Sequence, residues 1–578
     1  MSRIKILKSL TFAALAIIAV RLFFIQIIEH DAWVAKANDQ HTLLETITAK
    51  RGEIYMMDEN EPAKVVLNQT VYQIIIDPAT TDKEQIKTAL EKYAKEYITA
   101  DLDEVYSIEG LRYYIVARNV PYSNAVKIAE AEISSVWLKE GNRRVYPEGE
   151  MASTLLGFVN ADGIGQYGVE GSLNKLLSGK DGLLKTTADI NKVALSIGND
   201  NVKIPAENGK DVVLSVDRGL EKGVEELLAE HIKNTAATNA AALIMKPDTG
   251  EVIAMTSLPS YNPADYGHVK DASAYINQVT EVPYEPASVC KSFAFSAAIN
   301  EGKMTSETTY YNKGYDVIDG WTIKNAEQRA SLNNHELNMK TALYWSLNTG
   351  SIQALKLLGD STDQITQVGR ERLYDYYHNK FRLGQATGIE LIEAEGYIED
   401  PNEGWGRDST YANMTFGQNL GITMIQTATA FSAVINGGYY RTPTIVKGTL
   451  ENGNIIPLEN RNTINEQILS SETSATMRDL LINNRSYKVT NGIDRHGYSI
   501  GGKTGTAQVI IDGSYDDSMD NLVGSYIGFV GPSNEMPQYV IMVKTWGEGE
   551  ALSGKEAMNL FDLMSNFAID YLKIKPGV

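Results

Sequence analysis

The stretch from residue 10 to residue 20 holds no charged side chain, and Thr11 is its only polar one. Arg21 interrupts the run, and residues 22–28 resume it with Gln26 alone polar. Residues 9–28 are together long enough to cross a bilayer as a helix, which takes about 20 predominantly apolar residues. Arg21 then snorkels toward one face. Arg3, Lys5 and Lys8 precede the run, and a basic flank keeps its end in the cytoplasm. The competing reading is a cleaved signal peptide. No small-x-small cleavage site is evident, and Arg21 leads straight into more apolar sequence, which favours an uncleaved signal-anchor. The sequence predicts a cytoplasmic tail over 1–8 and a single-pass anchor in the cell membrane over 9–28. All later residues are then extracytoplasmic.

The 578 residues suggest two to four domains beyond that anchor. A formal net charge of −20 offers no basic field to displace counterions, which argues against nucleic acid as a partner. Cys290 is the only cysteine, so there is neither an intrachain disulfide nor a cysteine-based metal site, and it reads as a small core residue. Seven scattered histidines lack ligand spacing and read as surface or structural groups. Asp512, Asp516, Asp517 and Asp520 cluster, but with no histidine or ligand pattern beside them they read as a solvated loop.

Residues 29–50 look helical and polar, like a stalk leaving the membrane. From Arg51-Gly52-Glu53-Ile54-Tyr55 the texture changes, and strand-like runs (71–76) alternate with helix-like ones (82–95, 124–130). Nothing there has catalytic spacing. Residues 211–217 read as a strand that starts the next domain. Residues 221–233 have helical periodicity. Residues 241–246, Pro247-Asp248-Thr249-Gly250 and 251–256 read as strand, turn, strand. Helical sequence dominates from 288 to about 358. Residues 522–530 and 538–544 form an apolar hairpin, and residues 556–573 close as an amphipathic helix.

Three short segments carry chemistry. Ser288 and Lys291 are three apart after Pro286, so a helix from Ser288 puts both on one face at its N-terminus. A serine hydroxyl needs a base within hydrogen-bond reach. A desolvated lysine can serve, because burial and nearby positive charge favour its neutral form. The spacing alone is weak, since Ser2/Lys5 and Ser172/Lys175 share it without support. Ser346-Leu347-Asn348 adds a hydroxyl and a carboxamide two apart on a tight turn. Lys503-Thr504-Gly505-Thr506, flanked by Gly501-Gly502, reads as a strand with glycine where a ligand backbone approaches closely.

Ser-x-x-Lys, Ser-x-Asn and Lys-Thr-Gly, in that order, resemble the signature of penicillin-binding proteins and β-lactamases. With the anchor and Arg51-Gly52-Glu53-Ile54, the chain resembles the class B penicillin-binding proteins. The resemblance implies an α+β fold. An elongated α/β pedestal over 29–210, like the family's dimerisation domain, carries a transpeptidase domain over 211–578 with a central antiparallel sheet flanked by helices. It implies a serine-type D-Ala-D-Ala transpeptidase that cross-links peptidoglycan stem peptides and is acylated by β-lactams. Ser288 would attack and Lys291 would take its proton. Ser346 would relay a proton, with Asn348 and Lys503 fixing Ser346 and Lys291. Thr504, Gly505 and Thr506 would hold the terminal carboxylate, and no metal or organic cofactor is required. Ala287 and Cys290 depart from the family's usual glycine and bulkier residue.

Three alternatives stay open: an elongation-type rather than a septal transpeptidase; a carboxypeptidase or β-lactamase-like hydrolase; and a non-catalytic β-lactam sensor, which the intact motifs and the short tail disfavour. No stretch between the anchor and residue 211 resembles a glycosyltransferase. The resemblance therefore implies a partner that polymerises glycan, a multi-spanning membrane glycosyltransferase of the SEDS type.

Overall fold

The computed structural model describes residues 3–33, 36, 42–187, 202–404, 407–458, 463–486, 494–508, 510–511, 514–515, 521–548 and 552–577. The four clustered aspartates, 512, 516, 517 and 520, lie outside this set. Two compact units divide the chain: residues 1–52 with 178–210, and residues 53–177 with 211–578.

In the first unit an unbroken apolar helix spans Arg3–Ile28, long enough to cross a membrane and with none of its side chains packed in a core. The hydroxyl of Thr11 is satisfied within the helix, its Oγ1 donating to the carbonyl of Leu7 at 3.0 Å. Thr42–Ile47 is a strand, antiparallel to Gly182–Thr187, which in turn pairs with Val202–Ile204. This corrects the second half of the helical stalk expected over 29–50: among the described residues 30–33 and 36 are helical, and 42–47 are strand. Polar composition was read as a solvated helix. A partner strand far along the chain decides the matter instead, as tertiary pairing overrides local propensity.

Two large sheets stand out among the described residues of the second unit. In the larger, Val212–Asp217 lies between Ile54–Asp58, parallel to it, and Val446–Glu451, antiparallel to it. Glu61–Ile76 continues the sheet and pairs with both Tyr114–Pro121 and Val136–Val145. All six residues of Val212–Asp217 are buried. The strand expected at 211–217 thus exists, and it links residues 54–145 to the rest of the unit.

The smaller sheet positions the site. Its five antiparallel strands run in the order Val252–Leu258, Asn239–Met245, Tyr539–Glu548, Asn521–Pro532, Tyr498–Gln508. Successive side chains alternate between its faces. Ala240, Ala242 and Ile244 pack with Leu220, Val224, Leu560 and Phe561 from the helices Arg218–Asn234 and Gly554–Tyr571. Ala241, Leu243 and Met245 face the other way, into a core with Phe293 and Phe431 from the helices Lys291–Asn300 and Met424–Ile435. A sheet buried on both faces explains why these strands read as near-continuous apolar runs.

The helical region expected over 288–358 is interrupted. Thr309–Asn312 pairs with His335–Asn338, and Tyr315–Ile318 with Trp321–Lys324. Asp319-Gly320, with φ of 51° and 82°, forms the two-residue turn of the second hairpin. An Asp-Gly turn between β-branched and aromatic runs is a hairpin signal, and here it prevails over the helical sequence around it.

Candidate active site

Pro286 ends the incoming strand-like segment, and Ala287–Cys290 form a single tight turn that runs into the helix Lys291–Asn300. Ala287 has φ of 49°, a left-handed conformation that costs an alanine about 1 kcal/mol. Its N–H donates to the carbonyl of Gly417 at 3.2 Å. A Cβ on Gly417 would come within 2.1 Å of the carbonyl oxygen of Ala287, so the two backbones meet where no side chain fits. Gly505 has the same role on the opposite wall. A Cβ there would lie 2.3 Å from the oxygen of Pro286 and 2.5 Å from Ser525 Oγ. The strand therefore touches the turn bearing Ser288 backbone to backbone.

Lys291 is buried to 1% exposure, one helical turn from Ser288. Its Nζ lies 3.0 Å from Ser288 Oγ, 2.7 Å from the carbonyl oxygen of Ser346, 2.8 Å from Asn348 Oδ1 and 3.3 Å from Ser346 Oγ. Ser346 sits in a left-handed turn, φ 58°, between the helices Met339–Tyr344 and Asn348–Leu358. That turn lets its carbonyl and hydroxyl face the same lysine. A non-glycine residue held there is strain of a kind concentrated at functional sites. Asn348 is oriented in turn by its Nδ2, which donates to the carbonyl of Lys324 at 2.9 Å.

Lys503 comes from the edge strand Tyr498–Gln508 and is fully buried. Its Nζ donates to Ser346 Oγ at 2.8 Å and to the carbonyl of Thr504 at 3.1 Å. The N–H of Gly554 donates to Thr506 Oγ1 at 2.8 Å, which leaves the hydroxyl proton of Thr506 available to a ligand. A groove of about 750 Å³ is lined by Ser288, Trp345, Ser346, Thr504, Thr506 and Lys555, among others. Three segments remote in sequence thus bring Ser288, Lys291, Ser346, Asn348, Lys503, Thr504, Gly505 and Thr506 to one place. Cys290 is fully buried and burial pushes its thiol well above the usual range, so it is a core residue rather than a nucleophile.

The sequence reading missed the groove's other wall. Gly554 and Lys555 begin the helix Gly554–Tyr571, capped by Ser553, whose Oγ accepts from the N–H of Lys555 at 3.2 Å. A serine before that amphipathic run was a capping signal. That the cap abuts Thr506 is a tertiary fact with no local trace. Phe416, whose ring centroid lies 5.9 Å from Lys291 Nζ, also lines the groove.

The fold and this groove define a penicillin-binding acyltransferase. The model of the penicillin binding protein transpeptidase domain matches residues 240–564, and that of the penicillin-binding protein dimerisation domain matches residues 46–214. Stage V sporulation protein D of Bacillus subtilis is 29% identical over 540 residues, covering 91% of this chain and 79% of that protein. Peptidoglycan D,D-transpeptidase FtsI of Escherichia coli is 25% identical over 576 residues, covering 97% and 90%. A solved peptidoglycan synthetase from Bifidobacterium adolescentis superposes with a TM-score of 0.72 at 22% identity, covering 93% of this chain and 98% of that one. The chain belongs to the penicillin-binding protein transpeptidase family, in its class B arrangement of dimerisation and transpeptidase domains. It is a serine D,D-transpeptidase, and its N-terminal apolar helix fits a single-pass membrane anchor.

Proposed function

We propose that Ser288 is the nucleophile of this transpeptidase and that Lys291 is the base that activates it. The observation that carries the reading is the 3.0 Å contact between Lys291 Nζ and Ser288 Oγ, made while two other oxygens hold the same nitrogen. A neutral amine has two N–H bonds and one lone pair. Directing the N–H bonds to the Ser346 carbonyl and to Asn348 Oδ1 leaves the lone pair for the hydroxyl proton of Ser288.

Ser288 Oγ then attacks the carbonyl between two D-alanines of a stem peptide, and its proton passes to Lys291. The oxyanion rests against the backbone N–H groups of Ser288 and Thr506. Ser346, accepting from Lys503, relays a proton to the leaving amine, and the C–N bond breaks to release D-alanine. The amine of a second stem peptide attacks the acyl ester, and Ser288 recovers its proton. Thr504 and Thr506 hold the donor's carboxylate, with Gly505 permitting the approach. Among the described residues Tyr498–Gln508 pairs with a strand on one side only, so a donor peptide can add along its other edge. A β-lactam enters as a donor mimic and acylates Ser288.

We place residues 29–210 as the pedestal and 211–578 as the catalytic domain, outside the cytoplasm, with residues 1–8 inside and 9–28 crossing the membrane. We assign the protein to septal rather than side-wall synthesis, and the glycan would come from a multi-spanning SEDS-type glycosyltransferase. A fluorescent penicillin should label the full chain and not Ser288→Ala. A labelled donor peptide with an amine acceptor should give cross-linked product; free acid alone would mean a hydrolase. Depletion should give filaments, whereas rounded cells would reassign the protein to elongation. Co-purification with the glycosyltransferase in detergent tests the partner.

A further inference from the structure

A second pocket of about 540 Å³ lies beside the catalytic groove and shares Asn348, Phe416 and Gln418 with it. One wall is the hairpin Tyr315–Ile318 and Trp321–Lys324. That hairpin is fixed in three ways. Ile318 and Ile323 pack against the core. Lys356 Nζ pairs with Asp316 Oδ1 at 2.7 Å, and the N–H of Ser409 donates to Asp319 Oδ2 at 2.8 Å. On this rigid mount Trp321 stands 71% exposed at the pocket wall. An anchored hairpin that leaves its largest aromatic ring in water presents a ready surface for a ligand.

The lining chemistry selects the ligand. Beside Trp321 the described residues offer the hydroxyl of Thr322 and the carboxamides of Asn413 and Asn419, with no carboxylate among them and with Lys324 as their one charged side chain. Among the described lining residues an ammonium-bearing acceptor peptide finds no carboxylate; those of Asp319 and Glu285 already accept from the N–H groups of Ser409 and Asn419. A pyranose ring presents an apolar C–H face for an indole and hydroxyl or acetamide groups for carboxamides. The volume is within the ordinary range for a small-ligand site. The hairpin is also tied to the catalytic cluster, because Asn348 Nδ2 donates to the carbonyl of Lys324.

We propose that this pocket is a glycan subsite, taking N-acetylated pyranose rings of the strand that carries the stem peptide, with Trp321 as the stacking platform. The inference rests on the peptidoglycan reading above. It adds that the enzyme grips the sugar chain next to the peptide it acylates.

The test uses the full chain in detergent, first acylated by a β-lactam so that the catalytic groove is blocked. Failure of acylation would sink the Ser288 reading and is seen before any sugar is added. An N-acetylglucosamine tetramer is then titrated and followed by saturation-transfer NMR. Binding should weaken by at least about tenfold in Trp321→Ala, the loss typical of a stacking anchor. It should stay within about threefold in Trp321→Phe and be unchanged in Val317→Ala, an exposed position on the same hairpin. Unchanged β-lactam acylation in Trp321→Ala shows that the variant is folded. No binding by the tetramer, or equal binding by Trp321→Ala, overturns the proposal. So does Trp321-dependent binding of a sugar-free stem peptide in place of the tetramer, which would make the pocket an acceptor-peptide site.

Discussion

Lys503 and Lys544 project from the same face of the same sheet. Lys503 lies opposite Ile527, which lies opposite Met542, two residues before Lys544. Both are buried, at 0% and 3% exposure. Their surroundings differ completely. Lys503, with Lys291, sits among oxygens at 2.7–3.3 Å. Lys544 sits between the rings of Tyr284 and Trp546, 4.8 and 4.4 Å from their centroids, with no hydrogen bond or ion pair among the described residues. Burial alone therefore does not mark a catalytic lysine. A lysine that can move protons has acceptors and a hydroxyl arranged around it; one held by rings is a charge tolerated in a core.

The largest effect expected from this contrast is kinetic. Lys291→Ala should slow β-lactam acylation by about 10³-fold or more, because an unassisted serine is a poor nucleophile. Lys544→Met should leave acylation within about threefold of wild type, as expected of a packing residue. A stopped-flow comparison of the two decides it. If Lys544→Met is the slower variant, the distinction between oxygen-held and ring-held lysines fails. Lys503→Ala should fall between, with a loss of about 10²-fold from removing a preorganised donor to Ser346.

The next effect is on stability, and its sign depends on pH. Burial pushes the Lys544 amine down to about 7 from its ordinary 10.5. A group depressed in the folded state contributes no penalty above its unfolded value. The penalty grows as pH falls below about 10.5 and is complete below about 7. Lys544→Met should therefore stabilise the protein by roughly 2–4 kcal/mol at pH 6 and by little at pH 10.5. Glu221 slopes the other way. Burial raises it to about 7, so its contribution is fully present below 4.5 and lost as pH rises through 7. Because Glu221 is common to both proteins, the difference in denaturant midpoint between wild type and Lys544→Met, taken at each pH, isolates the lysine. A difference that does not change with pH would mean that the amine stays charged in its cage.

The same contrast explains what was legible in the sequence. Ser288/Lys291, Ser346/Asn348 and Lys503–Thr506 could be read because their chemistry depends on residue type at short spacing, and each segment carries its own turn or strand signal. The strands 241–246, 251–256, 522–530 and 538–544 were readable as apolar runs. Lys544 sat in plain view at the end of one of them, yet nothing local shows that Tyr284 will close over it. Pairing of Thr42–Ile47 with Gly182–Thr187, and contact of Gly554 with Thr506, were illegible for the same reason. Both join segments whose local sequence is indifferent to the partner. The hairpin at 315–324 is different: its Asp-Gly turn is a local signal, and it prevails over the surrounding helical sequence.

The smallest effect concerns where each region stores its cost. The Lys544 region carries desolvated charge, whereas the catalytic turn carries backbone strain at Ala287 and Ser346, with φ of 49° and 58°. Ala287→Gly should relieve part of it and raise stability by about 0.5–1 kcal/mol, less the entropy that glycine adds to the unfolded chain. Space does not oppose the change, since it only removes a methyl group. The kinetic outcome is the sharper measurement. Ala287 fixes the backbone immediately before Ser288, and its N–H is held by Gly417. If strain at Ala287 serves only to pass the chain under Gly417, acylation by penicillin should be unaltered while the unfolding midpoint rises. If the Cβ also restrains the turn, acylation should slow as stability rises, and the strain would then belong to the catalytic machinery rather than to the fold.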